Sequence, residues 1–205
     1  MNAVKAELTR VLQSRRAVML SKLDGLSEYD RRRPATPTGT NLLGLVKHLA
    51  GLEYGYLGIS FGRPPIDRPS WFRDDPYAEI DMWATPDEST TYITTVYRQA
   101  CAHADLTIAD LDLDAAGHVE HWDHPATTLG VLLIRMLAET AQHAGHADII
   151  REQTDGQLTN NTHADTPFWR DRTHTVQQAA NHFRFAVDPE PDYIEWDDAQ
   201  KNDLG

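Results

Sequence analysis

Apolar residues recur at helical spacing along most of the chain. Between residues 3 and 24 they follow a helical period, at Val4, Leu8, Val11, Leu12, Val18, Met19 and Leu23. The segment RRRPATPTG, residues 31–39, interrupts this pattern with two prolines and a glycine. Thr40 or Asn41 can cap a second helix. Its apolar stripe is Leu42, Leu45, Val46, Leu49, Leu52 and Tyr56.

Three further helices are predicted from start and stop signals. Thr85-Pro86-Asp87-Glu88 starts a helix that runs to about Ala109, a fourth covers Thr128–Asp155 before Gly156, and a shorter one covers Pro167–Phe183. Residues 61–76 and 110–127 are predicted loops. The pattern predicts an all-α four-helix bundle with an additional short helix, long loops and little strand. We expect the bundle domain over residues 1–185 and a draped or partly disordered acidic tail over 186–205.

Composition and charge narrow the class of protein. The chain has 205 residues, 40% of them hydrophobic, without an apolar run of about 18 residues or a leader pattern, so no membrane association is expected. Cys101 is the only cysteine, which excludes an intramolecular disulfide and fits the cytoplasm. A net charge of −12 argues against nucleic-acid binding. The basic cluster Arg31-Arg32-Arg33 is interpreted as a solvated loop rather than an anion contact.

The segment ETAQHAGHADIIRE, residues 139–152, places three polar groups on one helix face. Glu139, His143 and His146 lie within about 60° of one another at 100° per residue. Leu132 and Met136 flank this sector, so it faces the bundle. A buried carboxylate without a partner costs several kcal/mol, and a divalent cation removes that cost. Imidazole and carboxylate are both good ligands for zinc-class metals.

His48 on the second helix is the candidate third ligand. It lies between Leu45 and Leu52 on its helix face, and aligned helices could bring it to the bundle axis. Three protein ligands with open positions are typical of a catalytic metal site. The spacing leaves two alternatives open: His48 as a satisfied core histidine, and Glu139 with His143 as a surface hydrogen-bonded pair.

A family resemblance favours the metal site. GTNLLGLVKHLAGLEYGYLG, the FGRP loop after it and LLIRMLAETAQHAGHADIIREQTDG resemble the DinB-like superfamily of metal-binding helical bundles, in the branch often labelled mini-circle proteins. The similarity runs from about Ala6 to Gly156. It implies His48, Glu139 and His143 as the metal ligands. Glu139 replaces a more common histidine, as in the similar His-Glu-His set of mycothiol-dependent maleylpyruvate isomerase. His146 replaces the family's glutamine.

The resemblance also implies a function. Relatives transfer mycothiol or another small thiol, so we expect a metal-dependent thiol S-transferase or isomerase that uses mycothiol and an electrophilic substrate. Zinc is the first choice of ion, ahead of nickel, iron or manganese, and a homodimer is expected. His146 could relay a proton. Arg135, one turn before Glu139, could orient that carboxylate or bind an anionic substrate.

Several alternatives and secondary candidates remain. The same ligands could serve a metallohydrolase, or a non-catalytic bundle in which metal only fixes the fold. Tyr54 and Tyr56 could approach the cavity. Trp71 could line an acceptor pocket, although core packing is the simpler interpretation. Cys101 is expected to be a buried apolar filler. The segment GHVEHWDHP resembles a metal-binding tract, but a loop role beside the cavity mouth is favoured for its histidines, His118, His121 and His124.

Overall fold

The computed structural model describes residues 2–69, 71–72, 80–159 and 162–181. The chain divides into two compact units, Met1–Asp155 and Gly156–Gly205. The elements of the first unit are α1 (Ala3–Ser21), α2 (Glu28–Arg32), α3 (Leu42–Leu57), a 3-10 turn (Ile59–Phe61), α4 (Thr90–Asp110), β1 (Ala116–His118), β2 (Ala126–Thr128) and α5 (Leu129–Asp155). The second unit contains α6 (Pro167–Asn181).

The four long helices of the first unit form the predicted bundle. Helix α1 packs against α5, and α3 packs against both α4 and α5. Their apolar stripes supply one hydrophobic core, which includes Leu12, Met19, Leu45, Leu49, Ile93, Tyr97, Leu132, Leu133 and Met136. The all-α fold class and the small strand content are confirmed. Most residues of helix α3 are buried, so packing against its neighbours fixes the position of this helix in the bundle.

The ends of α3 and α5 follow local signals in the sequence. Asn41 is the cap of α3, because its Oδ1 accepts a hydrogen bond from the amide of Gly44 at 2.8 Å. Helix α5 ends at Asp155, and Gly156 follows with φ of +77°, a conformation that favours glycine. Both predicted boundaries are confirmed. They fix the two helices that carry the candidate ligands.

The predicted start of the third helix was wrong. Helix α4 begins at Thr90, where the Ser89 hydroxyl accepts a hydrogen bond from the amide of Tyr92 at 3.1 Å. Residues 85–88 instead form a turn that is tied to α3. Glu88 Oε2 accepts hydrogen bonds from the Thr85 amide and from the buried Lys47 ammonium, both at 2.8 Å. This tertiary contact outweighs the local start signal.

Two predicted loops contain regular structure. Within residues 110–127 and at Thr128, β1 and β2 pair antiparallel with Ala116 opposite Thr128. The basic cluster is not a solvated loop, because Arg31 and Arg32 belong to the short helix α2. Arg32 donates hydrogen bonds to the carbonyl oxygens of Thr85 at 3.1 Å and Glu88 at 2.6 Å. It therefore braces the turn that precedes α4.

Some predictions fall partly beyond the structural description. Helix α6 starts at Pro167 as predicted, while its expected end at Phe183, the tail over 186–205 and the domain boundary at 185 lie outside the described residues. Residues 62–69 and 71–72, the described remainder of the predicted 61–76 loop after the 3-10 turn, carry neither helix nor strand. Among the described residues, no helix combines the length and apolar character that a membrane crossing needs.

Candidate metal centre

His48, Glu139 and His143 converge between α3 and α5. One possible ligand atom from each side chain lies within 4.8 Å of the other two. The His48 and His143 rings stand nearly perpendicular with centroids 5.1 Å apart, and His143 Nε2 is 3.5 Å from Glu139 Oε2. The structure thus brings together the three residues singled out from the sequence. Their role as metal ligands stays a prediction.

Helix packing explains both the placement and the openness of this cluster. Glu139 and His143 are one turn apart on α5, and Leu132 and Met136 on the same side of that helix are fully buried. The side chain of His143 is only 11% exposed, whereas that of Glu139 is 37% exposed. The cluster is therefore seated on the core and open to solvent beside Glu139. Such a site can admit a small molecule.

The electrostatics keep His143 neutral. Burial of its ring, followed by the neighbouring His48 and His146, lowers the pKa of His143 to about 4. At neutral pH this imidazole therefore keeps a lone pair free to bind a metal. Two imidazoles and one carboxylate within reach of a single point match the donor chemistry of zinc-class divalent ions. The residues fit the ion that the family resemblance implies.

Asp81 was missed by sequence reasoning and contacts His48 directly. Its Oδ2 lies 2.7 Å from His48 Nδ1. Although burial opposes ionisation of this carboxyl, the hydrogen bond and charge of His48 hold the pKa of Asp81 below its usual value. Asp81 belongs to an irregular segment 33 residues away in the chain. No periodic signal marks it, so only the tertiary structure could reveal it.

His146 lies beside the three-residue cluster. Its Nδ1 is 3.4 Å from His143 Nδ1, the ring centroids are 5.4 Å apart, and the residue is exposed. It is therefore the imidazole on the solvent side of His143. This placement is compatible with the predicted proton relay, which stays a prediction.

Arg135 and Tyr56 meet at Trp122, a residue that the sequence analysis did not single out. The Arg135 guanidinium carbon lies 4.3 Å from the Trp122 ring centroid, a cation–π distance, and the Tyr56 and Trp122 rings are 6.0 Å apart. Burial first, and then the charge of Glu139, raises the pKa of Tyr56. Tyr56 is therefore close enough to Glu139 and Arg135 for both charges to act on it. The sequence analysis singled out His121 and His124 but not Trp122, which lies between them in the chain.

Tyr54 and Trp71, the other predicted substrate contacts, are each 5% exposed. Tyr54 packs edge-on against Phe72 and His103, and Trp71 packs against Tyr92 with centroids 5.6 Å apart. This is the core packing that the sequence analysis weighed as the simpler interpretation for Trp71. Their substrate-binding role stays a prediction.

The histidines of the 110–127 segment do not form a second centre among the described residues. His118 belongs to β1, and it is exposed, as are His121 and His124. In the described parts of the chain, the group of acidic, histidine or cysteine side chains suited to holding an ion is the one formed by His48, Glu139 and His143.

The helical bundle and its His-Glu-His cluster define the class as DinB-like helical proteins with a candidate metal centre between two core helices. A family model described as "Mycothiol-S-transferase" matches residues 7–156. The chain belongs to this mycothiol S-transferase family, which confirms the resemblance to the DinB-like superfamily. The family name describes a transferase-type enzyme that acts with a small-molecule thiol.

Comparison with solved structures supports the fold. The chain resembles a crystal structure titled as a conserved protein from Enterococcus faecalis, with a TM-score of 0.60 and 13% identity. The match covers 75% of this chain and 98% of the other. At that identity the likeness shows the fold alone. Comparison with curated proteins gives no significant match.

Proposed function

We propose that this protein is a divalent-metal-dependent S-transferase that joins mycothiol to an electrophilic substrate. The observation that carries the proposal is the convergence of His48, Glu139 and His143 within a 4.8 Å cluster, inside the segment that matches the mycothiol S-transferase family. Zinc is the expected ion, and nickel, iron or manganese would suit the same donors. The expected homodimer and cytoplasmic location remain part of this proposal.

The three clustered side chains would hold the ion. When bound, a divalent cation lowers the pKa of a thiol ligand and so supplies a thiolate near neutral pH. His48 and His143 contribute neutral nitrogen donors, and Glu139 contributes one negative charge. Because Glu139 is the most exposed of the three, its side of the cluster is the natural entrance for mycothiol.

Residues around the entrance have distinct tasks in the proposed reaction. The thiol proton passes to the solvent-exposed imidazole of His146, which can release it to solvent or to a leaving group. The thiolate sulfur then forms a bond to the electrophilic carbon of the second substrate while that carbon's bond to its leaving group breaks, and the leaving group departs with the electron pair of the broken bond. Arg135, whose guanidinium carbon lies 4.3 Å from the Trp122 ring centroid, offers a positive charge to an anionic part of that substrate. Tyr56 lies at the other edge of Trp122.

Mycothiol consumption tests the proposal. Chelated protein and protein reloaded with zinc, nickel, iron or manganese are each assayed with mycothiol and a panel of electrophiles such as monobromobimane. We expect turnover only after reloading, and its loss in His48→Ala. The matched control is His174→Ala, which removes an exposed histidine of α6 that is not part of the cluster and should keep full activity.

Two outcomes would contradict the proposal. Thiol consumption that is equally fast in chelated and in reloaded protein would contradict a role of the ion in the reaction. No thiol consumption with any metal across the panel would favour the alternatives, and ester or amide hydrolysis by the reloaded protein would then identify a metallohydrolase. Binding of metal with a gain in melting temperature and no chemistry would identify a non-catalytic bundle.

A further inference from the structure

We propose that Asp81 is a positioning residue that fixes the ring orientation and the tautomer of His48; the inference rests on the proposed function of His48 as a metal ligand. The segment 80–83, here called the Asp81 segment, is held against α3 so that one carboxylate meets one ring nitrogen. Three sets of contacts carry this inference.

The first is the hydrogen bond between Asp81 and His48. The distance from Asp81 Oδ2 to His48 Nδ1 is 2.7 Å, and the two side chains are 31% and 20% exposed. An ionised carboxylate can only accept a hydrogen bond, so Nδ1 must be the protonated nitrogen. The lone pair of His48 is then on Nε2, the nitrogen that remains for the cluster. Carboxylate partners of this kind orient metal-binding histidines and raise their basicity.

The second set comes from Lys47, the neighbour of His48 in α3. Its side chain is 1% exposed, and its ammonium donates to the carbonyl oxygens of Ile80 and Trp83, both at 2.9 Å. These two acceptors lie on either side of Asp81 in the chain. A third bond goes to Glu88 Oε2 at 2.8 Å and neutralises the buried charge. Lys47 thus fixes the backbone before and after Asp81.

The third set lies at the N-terminal end of α3. Asn41 Nδ2 is 3.2 Å from the carbonyl oxygen of Met82, while the same side chain caps the helix through Gly44. A Cβ added at Gly44 would lie 1.8 Å from that carbonyl oxygen. Only glycine therefore lets the Asp81 segment approach α3 so closely.

These contacts hold the backbone on both sides of Asp81, so this loop residue keeps a fixed position next to α3. Each of the four residues from Ile80 to Trp83 is tied to α3, three through backbone carbonyls and Asp81 through its side chain. The carboxylate consequently remains opposite His48 without depending on its own hydrogen bond for position. Replacing Asp81 should change the properties of His48 more than it changes the fold.

Two measurements on the full chain test this inference. Zn²⁺ affinity is measured by chelator competition for wild type, Asp81→Asn, Asp81→Ala and Asp81→Glu. We expect about 10- to 100-fold weaker binding in the Asn and Ala variants, with partial recovery in the Glu variant. The matched control is Asp110→Asn, which removes a carboxylate from an exposed pair with Arg63 and should bind as wild type does.

The second measurement reads the imidazole without metal. In ¹⁵N-labelled, chelated protein, His48 should be the Nδ1–H tautomer in wild type and should lose this preference in Asp81→Asn and Asp81→Ala. Unchanged tautomer and unchanged Zn²⁺ affinity in these two variants would overturn the inference. If wild type binds no Zn²⁺, the proposed function fails. The His48 tautomer then decides the inference alone. Loss of the Nδ1–H tautomer in Asp81→Asn and Asp81→Ala would support the positioning role of Asp81, and its persistence in both variants would overturn that role.

Discussion

Cys101 supplies the only thiol of the chain, and its surroundings make it a poor nucleophile. Its Sγ lies 3.9 Å from Glu53 Oε1 and packs against the core. Burial first, and then the negative charge of Glu53, raises the pKa of Cys101 well above its ordinary value. A reaction that needs a thiolate must therefore take its sulfur from a cosubstrate.

A thiol-labelling experiment measures this property. Native protein should react with a disulfide reagent such as DTNB at pH 8 at least about 100-fold more slowly than unfolded protein, because so little thiolate forms. The native rate should keep rising about tenfold per pH unit up to pH 10, where the unfolded rate has already levelled off. Cys101→Ser should lose the signal and keep turnover. Rapid stoichiometric labelling of native protein would contradict the assignment.

Predictability from sequence differs among the residues of the site. Glu139 and His143 repeat on one helix face, so their spacing indicated them. The position of His48 between Leu45 and Leu52 made it the candidate third ligand, and the family resemblance favoured it. Asp81 and Trp122 come from segments without periodicity and reach the site through tertiary contacts. The helical period determines which side chains share a face of one helix, whereas the position of a loop residue depends on the whole fold.

At the scale of elements, a buried charge network joins three helices of the bundle. Arg16 on α1 donates two hydrogen bonds of 2.6 Å to the carboxylate of Glu53 on α3 and a third to Asp105 on α4. The Arg16 and Glu53 side chains are 6% and 0% exposed. Since a buried carboxylate without its partner is strongly unfavourable, this network fixes the position of α1 relative to α3 and α4.

Removal of Arg16 should therefore be costly. For chelated Arg16→Met we expect a loss of about 3–5 kcal/mol in the free energy of unfolding, measured by urea denaturation, because Glu53 is left buried and unpaired. Arg10→Met is the control and should show no measurable loss, since the Arg10 and Glu7 side chains are 66% and 61% exposed.

A double variant keeps this prediction testable if Arg16→Met does not fold. Arg16→Met combined with Glu53→Leu replaces both charges by apolar groups and should recover most of the lost stability. Equal stability of Arg16→Met and Arg10→Met would contradict a structural role for the network.

Element boundaries were predictable where local chemistry decided them. The Asn41 cap and the Gly156 stop are local features, and both were found where expected. The start of α4 was not local. Glu88 is a good first-turn residue for a helix, but it is engaged by Lys47 from α3, and the helix begins only at Thr90. The sequence offers no pattern that pairs a lysine with a glutamate 41 positions later.

At the scale of the whole molecule, the long amphipathic segments determine the all-α bundle. Four helices with one apolar stripe each have few ways to bury those stripes, so the fold class follows from the pattern. The short helix α2 and the hairpin β1–β2 were not predicted, although Ser27 caps α2 locally by accepting a hydrogen bond from the amide of Asp30. The family match over residues 7–156 lies almost entirely within the first compact unit, Met1–Asp155.

The central claim is that ligands from two helices, α3 and α5, bind one ion and leave a coordination position for a thiol sulfur. It concerns the whole bundle, because the packing of the helices sets the distances between these ligands. X-ray absorption at the zinc edge of the reloaded protein, recorded before and after addition of mycothiol, tests it most directly. The account predicts two imidazole nitrogens and a carboxylate oxygen at first, then one added sulfur at about 2.3 Å. A spectrum without those nitrogens, or one that gains no sulfur with saturating mycothiol, would contradict it.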